Sequence, residues 1–207
     1  MMRRDQAAFE AMVTRHRSLE ERLALKVASL LAAARTGGDP DGATAEVLAL
    51  FRGDILPQLV AEERSIVVAA RGLPTLRATV AVMEAQHERV IEAAARLARA
   101  VGANEAAQAA ELLSVLFSAH VEKENELLLR CLLVERQVDL AGLLDQMEHA
   151  LGEILAARAV DGAALARVVA RAARCRSGSE RRATHHVGRR KERQVARAAV
   201  VAKEVDA

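Results

Sequence analysis

The sequence predicts an all-α protein, and its apolar patterns and chain breaks favour an up-down-up-down four-helix bundle with short C-terminal helices and a basic tail. Composition indicates the class, because 52% of the residues are hydrophobic but only 1% are aromatic, with no Trp or Tyr. The apolar residues are therefore mostly Ala, Leu and Val. Ala and Leu are strong helix formers, whereas a large sheet is usually rich in aromatic residues. Three Pro and eleven Gly are too few for the turns of a sandwich or barrel.

Four long amphipathic patterns, separated by breakers, predict the four helices. The first is expected from about Asp5, acting as N-cap, to Arg35, and it ends at the Gly- and Pro-containing segment 36–42. The next three are expected over about 44–71, 75–101 and 105–135. Short loops between long helices make consecutive helices antiparallel neighbours. Gly53 and Pro57 interrupt the second pattern, where we expect a kink because the apolar spacing continues on both sides.

Two shorter amphipathic stretches follow, at about 140–155 and 162–173, and we expect them to pack on one end of the bundle. The chain is thus predicted to comprise a bundle of residues 1–155 and a segment 156–207 with a short helix and an Arg-rich, mobile tail. The charge distribution follows this division. Acidic side chains exceed basic ones by five up to residue 170, and basic ones exceed acidic ones by seven after it.

Features that the chain lacks exclude several classes of protein. No charge-free stretch approaches the roughly 20 apolar residues of a membrane span, and the first residues lack the apolar region of a signal peptide. We therefore expect a cytoplasmic protein with no membrane partner. Cys131 and Cys175 form neither a disulfide framework nor a metal-binding pair, and the adjacent His185 and His186 do not share a helix face. The basic tail has no aromatic residue for base stacking, so we expect no nucleic-acid partner, and no protein partner can be named.

Polar residues interrupt the apolar stripe of each long helix. They are His16 on the first helix, Gln58 and Glu62 on the second, His87 on the third, and His120 and Glu124 on the fourth. The stripe of the fourth helix is expected to continue through Leu127 and Cys131, which predicts that Cys131 is buried. Because alternate helices run in opposite directions, the six polar residues fall at one level of the core, to within about a turn at ~1.5 Å per residue.

Buried carboxylates at this level require a cation. An unpaired ionised carboxylate is costly to bury, and no Lys or Arg lies on the stripes at that level. Imidazole nitrogens and carboxylate oxygens together suit Fe, Mn or Zn, and the i, i+4 spacing of His120 and Glu124 places both on one helix face. A single inward His is most often a hydrogen-bonded core residue, but the convergence of these side chains favours a metal site.

The same positions resemble the hemerythrin-like, HHE cation-binding family over about residues 5–150. The resemblance rests on Met12-x-x-x-His16-x-x-Leu19, Leu-Pro-Gln-Leu-Val-Ala-Glu-Glu at 56–63, the single His87 of the third helix and, above all, His120-Val121-Glu122-Lys123-Glu124. It implies a four-helix bundle with a non-haem di-iron centre. The ligands that it implies are His16, Glu62, His87, His120 and Glu124. By the same resemblance, Glu62 and Glu124 would bridge two irons, with His16 on one iron and the other two His on its neighbour.

Gln58 departs from the family pattern, which usually has His four residues before the Glu of the second helix. An amide oxygen is a poorer iron ligand than imidazole, so Gln58 is a doubtful ligand position and the iron near His16 is expected to be the weaker one. A half-occupied or mononuclear site stays an alternative. Glu84 and His87 have the Glu-x-x-His spacing of ferritin-like di-iron oxidases, but those need the motif on two helices and only one copy occurs.

These residues predict a protein that binds a small ligand rather than an enzyme that converts a substrate. Reduced iron with an open coordination position in an apolar pocket would bind or sense a small diatomic such as oxygen or nitric oxide. Tyr is absent, and no acid and base with separate roles mark a substrate cleft, so turnover is not indicated. In the alternative hypothesis Gln58 marks a decayed site, and the metal-depleted bundle is a protein interaction module.

Overall fold

The computed structural model describes residues 2–160, and every element of regular structure in this range is helical. The predicted all-α class is thereby confirmed. The helices are α1 (Met2–Thr36), α2 (Pro40–Leu50), α3 (Leu56–Arg64), α4 (Ile66–Arg71), α5 (Arg77–Arg99), α6 (Ala103–Lys123), α7 (Arg130–Val134) and α8 (Leu140–Val160). The chain divides into units Met1–Ala156 and Ala157–Ala207. The expected helix at 162–173, the Arg-rich tail, Cys175, His185 and His186 lie outside the described residues.

Asp5 does not cap the first helix, so that prediction was wrong. The helix α1 already begins at Met2, and the Asp5 side chain is 6% exposed within it. Its Oδ1 accepts a hydrogen bond of 3.0 Å from the backbone N–H of Ala141, in the first turn of α8. A carboxylate there pairs with an N–H that has no acceptor within its own helix. Asp5 therefore fastens the start of α8 to α1.

The second helical segment begins earlier than predicted and contains a wider turn. Asp39 caps α2 by accepting from the Gly42 N–H at 2.8 Å, and Pro40 occupies the first turn, where its missing N–H is not needed. The irregularity expected near Gly53 and Pro57 is a π-helical turn, Phe51–Ile55, after which α3 begins with Pro57 in its first turn. The segment breaks at Ser65 and resumes as α4.

A second π-helical turn, Glu124–Leu129, joins α6 to α7 and changes which side chains are buried. Leu127 is 47% exposed and Cys131 is also exposed, so the predicted continuation of the stripe was wrong. Leu128, Leu129 and Leu132 fill the core instead. A π turn holds one residue more than an α turn, so every later position is rotated by about one residue relative to an ideal α-helix.

The long helices bury a common core of aliphatic side chains. The helix α1 packs against α2 and α6, and α5 packs against α4 and α6. Short connections join them, including the residues between α5 and α6, where Gly102 adopts a φ of 82°. Within residues 2–160, no single helix is long and apolar enough to span a bilayer. The bent pair Pro40–Arg71 and Pro74–Arg99 meets the requirement only as a pair, by length and composition.

The last described helix, α8, lies against the first part of α1. Arg4 Nη2 pairs with Asp145 Oδ2 at 2.6 Å, and Arg15 forms a second ion pair with Glu148. Met147, between these two acidic residues of α8, is 1% exposed. The helix thus contacts α1 from Arg4 to Arg15.

Candidate metal centre

The five predicted ligand residues lie together in the core. His16 comes from α1, Glu62 from α3, His87 from α5 and His120 from α6, while Glu124 is the first residue of the second π turn. Each is 1% exposed. The predicted convergence on one level of the core is therefore observed, and whether these residues hold a metal is taken up under the proposed function.

The side chains form two groups that share Glu62. In one group, the Nε2 atom of His16 lies 3.4 Å from Glu62 Oε1 and 3.5 Å from Glu124 Oε2. In the other, the Nε2 atoms of His87 and His120 lie 3.5 and 3.8 Å from Glu62 Oε2. His120 Nε2 is also 3.5 Å from Glu124 Oε2, which connects the groups on their second side. In each group the candidate ligand atoms lie within 4.8 Å of one another.

These separations are those of atoms around a common ion. Hydrogen bonds between imidazole and carboxylate are typically ~2.7 to 2.9 Å long when charged, well below the separations of 3.4 to 3.8 Å seen here. Two ligand atoms that each lie about 2.1 Å from a shared ion are about 3.0 to 3.8 Å apart for ordinary coordination angles. The donor set therefore fits one or two small divalent cations.

The outer nitrogens of two imidazoles are anchored away from the centre. His16 Nδ1 donates to Asn125 Oδ1 at 2.8 Å, and His87 Nδ1 donates to Glu63 Oε1 at 3.2 Å. With the proton held on Nδ1, the lone pair of each neutral ring is on Nε2 and points at the carboxylates. A second hydrogen bond of this kind is the usual support of a metal-binding imidazole.

Two carboxylate oxygens at the centre lack hydrogen-bond partners. Within the described part of the chain, Glu62 Oε2 and Glu124 Oε2 are fully buried without a donor, and so is the Nδ1 atom of His120. Buried polar atoms are nearly always satisfied, because an unmet acceptor is costly away from water. Both oxygens also lie 3.5 to 3.8 Å from imidazole Nε2 atoms, so a cation bound between oxygens and nitrogens would satisfy both.

Protons on the imidazole rings can also balance the negative charges of the buried carboxylates. Burial alone would lower the pKa of His16, but the Glu124 and Glu62 carboxylates outweigh it and raise the pKa to about 9. Burial likewise opposes protonation of His87, yet the adjacent Glu62 carboxylate and the hydrogen bond to Glu63 raise its pKa to about 9. Burial lowers the pKa of His120.

The two buried carboxylates differ in the direction in which their pKa values are shifted. Burial raises the pKa of Glu124 to about 7, and the neighbouring Glu62 charge adds to the rise. Burial would also raise the pKa of Glu62, but the nearby imidazole nitrogens of His120, His16 and His87 hold it well below its usual range. Glu62 is therefore the charged centre around which the imidazoles assemble.

Gln58, the doubtful ligand position, lies in the cluster with its amide nitrogen toward the centre. It is 2% exposed, and its Nε2 donates to Glu62 Oε1 at 2.7 Å. The same nitrogen contacts the sulfur atoms of Met12 at 3.7 Å and Met147 at 3.8 Å. The side chain thus reaches the site as a hydrogen-bond donor to a carboxylate.

Sequence reasoning missed Asn125 and Met147. Asn125 follows Glu124 directly and would lie about 100° away on an ideal α-helix, so the apolar stripe gives no signal for it. In the structure it lies in the π turn that begins at Glu124. Met147 lies on the stretch that was expected to pack on one end of the bundle, but its pattern did not indicate which residues it would contact. Glu126, two residues after Glu124, pairs with Arg130 at the surface at 2.9 Å.

The family model of the hemerythrin HHE cation binding domain matches residues 7–132. The chain belongs to this family, and the predicted resemblance is confirmed. The family description identifies it as a cation-binding protein, and two clusters of His and Glu are present to hold a cation. Neither a search of curated proteins nor a search of solved structures returned a significant match.

Proposed function

We propose that residues 1–155 form an up-down-up-down four-helix bundle that holds non-haem iron and binds or senses a small diatomic such as oxygen or nitric oxide in the cytoplasm. The short connections between α1 and α2 and between α5 and α6 support the topology. The observation that carries the function is the pair of buried oxygens, Glu62 Oε2 and Glu124 Oε2, which lack donors and face imidazole nitrogens.

Two adjacent iron positions fit the two groups of side chains. Glu62, His87 and His120 would hold one, and His16, Glu62 and Glu124 the other, with the Glu62 carboxylate between them. The first group has two imidazoles and the second has one, and imidazole is the stronger ligand for iron. The position near His16 is therefore the weaker of the two.

The surroundings favour a small uncharged ligand. When bound, ferrous iron with an open coordination position supplies the site for a diatomic. The chain's own residues keep water away from it, because Met12, Met147 and Phe117 are 4, 1 and 2% exposed. The Phe117 ring lies 6.3 Å from the His120 ring, centroid to centroid.

Nitric oxide binding tests this proposal. We expect protein loaded anaerobically with ferrous iron to show a new visible absorption with nitric oxide, in proportion to its iron content. His120→Ala removes one of the two imidazoles of the stronger position and is expected to lose most of both the iron and the signal. Iron-loaded protein whose spectrum does not respond to nitric oxide would contradict diatomic binding while leaving iron binding intact.

The raised pKa values of His16 and His87 favour a second candidate function. Protonated imidazoles would neutralise the buried carboxylates without metal, which is the charge balance that a metal-depleted bundle acting as a protein interaction module needs. A melting temperature that ferrous iron does not change, in both the unaltered protein and His120→Ala, is the result that this second function requires.

Metal-free protein should lose stability as pH rises, whereas iron-loaded protein should change little. Between pH 6.5 and about 9, His16 and His87 bind protons in the folded state but not in the unfolded state, so metal-free stability falls as pH rises. Glu124, with a pKa of about 7, acts in the same direction over the lower part of this range. Iron displaces these protons, so the stabilisation by iron grows as pH rises.

Anaerobic thermal unfolding from pH 6.5 to 8, with ferrous iron or with a chelator, measures both slopes. We expect the difference in melting temperature between the two samples to widen steadily. Parallel profiles would show that the iron does not compete with the protons of this cluster.

A further inference from the structure

The Gln58 amide is held by a partner on each side. Its nitrogen donates to Glu62 Oε1 at 2.7 Å, and its oxygen accepts from Arg15 Nη1 at 3.5 Å. A guanidinium can only donate hydrogen bonds and a carboxylate only accepts them when ionised, so these two neighbours permit a single amide orientation. The N–H groups face the centre and the oxygen faces Arg15.

Arg15 is fastened in turn by α8. Its two terminal nitrogens contact the two oxygens of Glu148, and the Nη2 to Oε2 distance is 3.1 Å. A two-pronged contact of this kind fixes the plane of the guanidinium as well as its position. Glu148, Arg15, Gln58 and Glu62 therefore form a continuous chain of contacts from the surface of α8 to the buried cluster.

We propose that Gln58 positions the Glu62 carboxylate for metal binding by donating a hydrogen bond to it, and that the Arg15–Glu148 pair fixes the amide orientation that this requires. Docking of α8 would then set the metal affinity of the position near His16. The inference rests on the proposed iron site and adds to it a positioning residue and the contact that controls it.

The hydrogen bond from Gln58 should affect metal binding only at the position near His16. Gln58 donates to Oε1 of Glu62, the oxygen that lies 3.4 Å from His16, whereas Oε2 faces His87 and His120. A hydrogen bond to a ligating carboxylate fixes its direction, and losing such a bond typically weakens metal binding by about 10-fold or more. A ligand role for Gln58 would need the amide to flip, which would bring its NH2 group against the Arg15 guanidinium.

Arg15→Met distinguishes a role of Arg15 in orienting the Gln58 amide from a purely electrostatic role, because the two roles predict opposite changes in iron affinity. We expect ferrous iron, titrated anaerobically against a competing chelator, to bind the weaker position of Arg15→Met several-fold less tightly, and that of Gln58→Met about 10-fold less tightly. Removing a positive charge near a cation site would by itself strengthen binding, so weakening is specific to orientation. Gln58→Met also retains the side-chain length beside two existing Met residues.

Arg4→Met is the matched control, because Arg4 also joins α1 to α8 but pairs with Asp145 and is not in contact with Gln58. Its iron affinity should match that of the unaltered protein. Glu148→Gln should weaken iron binding in the same direction as Arg15→Met, and it keeps the test valid if Gln58→Met fails to fold. Combining Arg15→Met with Gln58→Met should add no further loss, since the effect of Arg15 passes through the amide.

Tighter or unchanged iron binding in Arg15→Met would overturn this inference alone. An unaltered protein that binds no iron would overturn the proposed function and this inference together. An equal loss in Arg4→Met would show that α8 acts through general stability, which also contradicts a role of the Gln58 amide.

Discussion

Glu62→Gln is expected to reduce iron to background and to remove all stabilisation by iron. Glu62 is the one residue shared by both groups, and its two oxygens face three imidazole nitrogens at 3.4 to 3.8 Å. An amide in its place offers one neutral oxygen and an N–H that points at a cation or a ring nitrogen. The position of His87 and His120 would then keep no charged ligand, and the position near His16 would keep only Glu124.

The size of the effect follows from mass action. At a free iron concentration about 100 times Kd, iron stabilises the native state by about 2.7 kcal/mol. For a chain of this length, that is about 5 to 10 °C in melting temperature. Elemental analysis and thermal unfolding with and without ferrous iron measure both losses.

Glu126→Gln is the matched control, because it makes the same change two residues after Glu124, at a Glu that pairs with Arg130 at the surface. It should keep the iron content and the melting temperature of the unaltered protein. Glu62→Gln protein with full iron content would show that the buried cluster is not the metal site.

Gln58→His is expected to have the opposite effect and to raise the iron content toward two per chain. The new imidazole would lie four residues before Glu62, on the helix face that already carries that carboxylate. It would give the position near His16 a second nitrogen ligand and strengthen the near-ultraviolet absorption expected of an oxo-bridged ferric pair. Melting temperature in iron-replete medium should therefore rise.

The same substitution would destabilise a bundle that binds no metal. It would bury an additional imidazole without a partner, at a cost on the order of 1 to 3 kcal/mol. Iron content and melting temperature of Gln58→His and unaltered protein, prepared side by side, distinguish the two cases. A less stable variant with no added iron would mean that the site has been assigned to the wrong residues.

The helical class and the convergence of His16, Glu62, His87, His120 and Glu124 were predictable from the sequence. Spacing along a helix fixes which side chains share a face, and long helices with short connections fix their approximate level. An ionisable residue on an apolar stripe is conspicuous because burying it alone is costly.

The positions that follow the π turn were not predictable from the same pattern. Cys131 continues an ideal α-helical stripe, and nothing in the residue types at 124–129 indicates an extra residue in the turn. The turn shifts burial to Leu128 and Leu132 and exposes Cys131, and Asn125 within it hydrogen-bonds to His16. An ideal helix repeat fails at this point because the chain departs from 3.6 residues per turn.

The contacts of α8 were also beyond the reach of the sequence. Asp5 has the residue type and position of an N-cap for its own helix, yet it caps α8 at Ala141, which is distant in the sequence. Arg15 is of a residue type common on exposed helix faces, yet it orients Gln58. Both roles depend on where a separate helix packs, which local propensity does not determine.

Iron per chain in protein purified anaerobically under reducing conditions, from cells grown in iron-supplemented medium, tests the central claim most directly. We expect between one and two irons per chain, because the group with two imidazoles should fill before the group near His16. Iron at background in both the purified protein and protein reconstituted with ferrous iron would contradict the claim that the buried His and Glu side chains form an iron site.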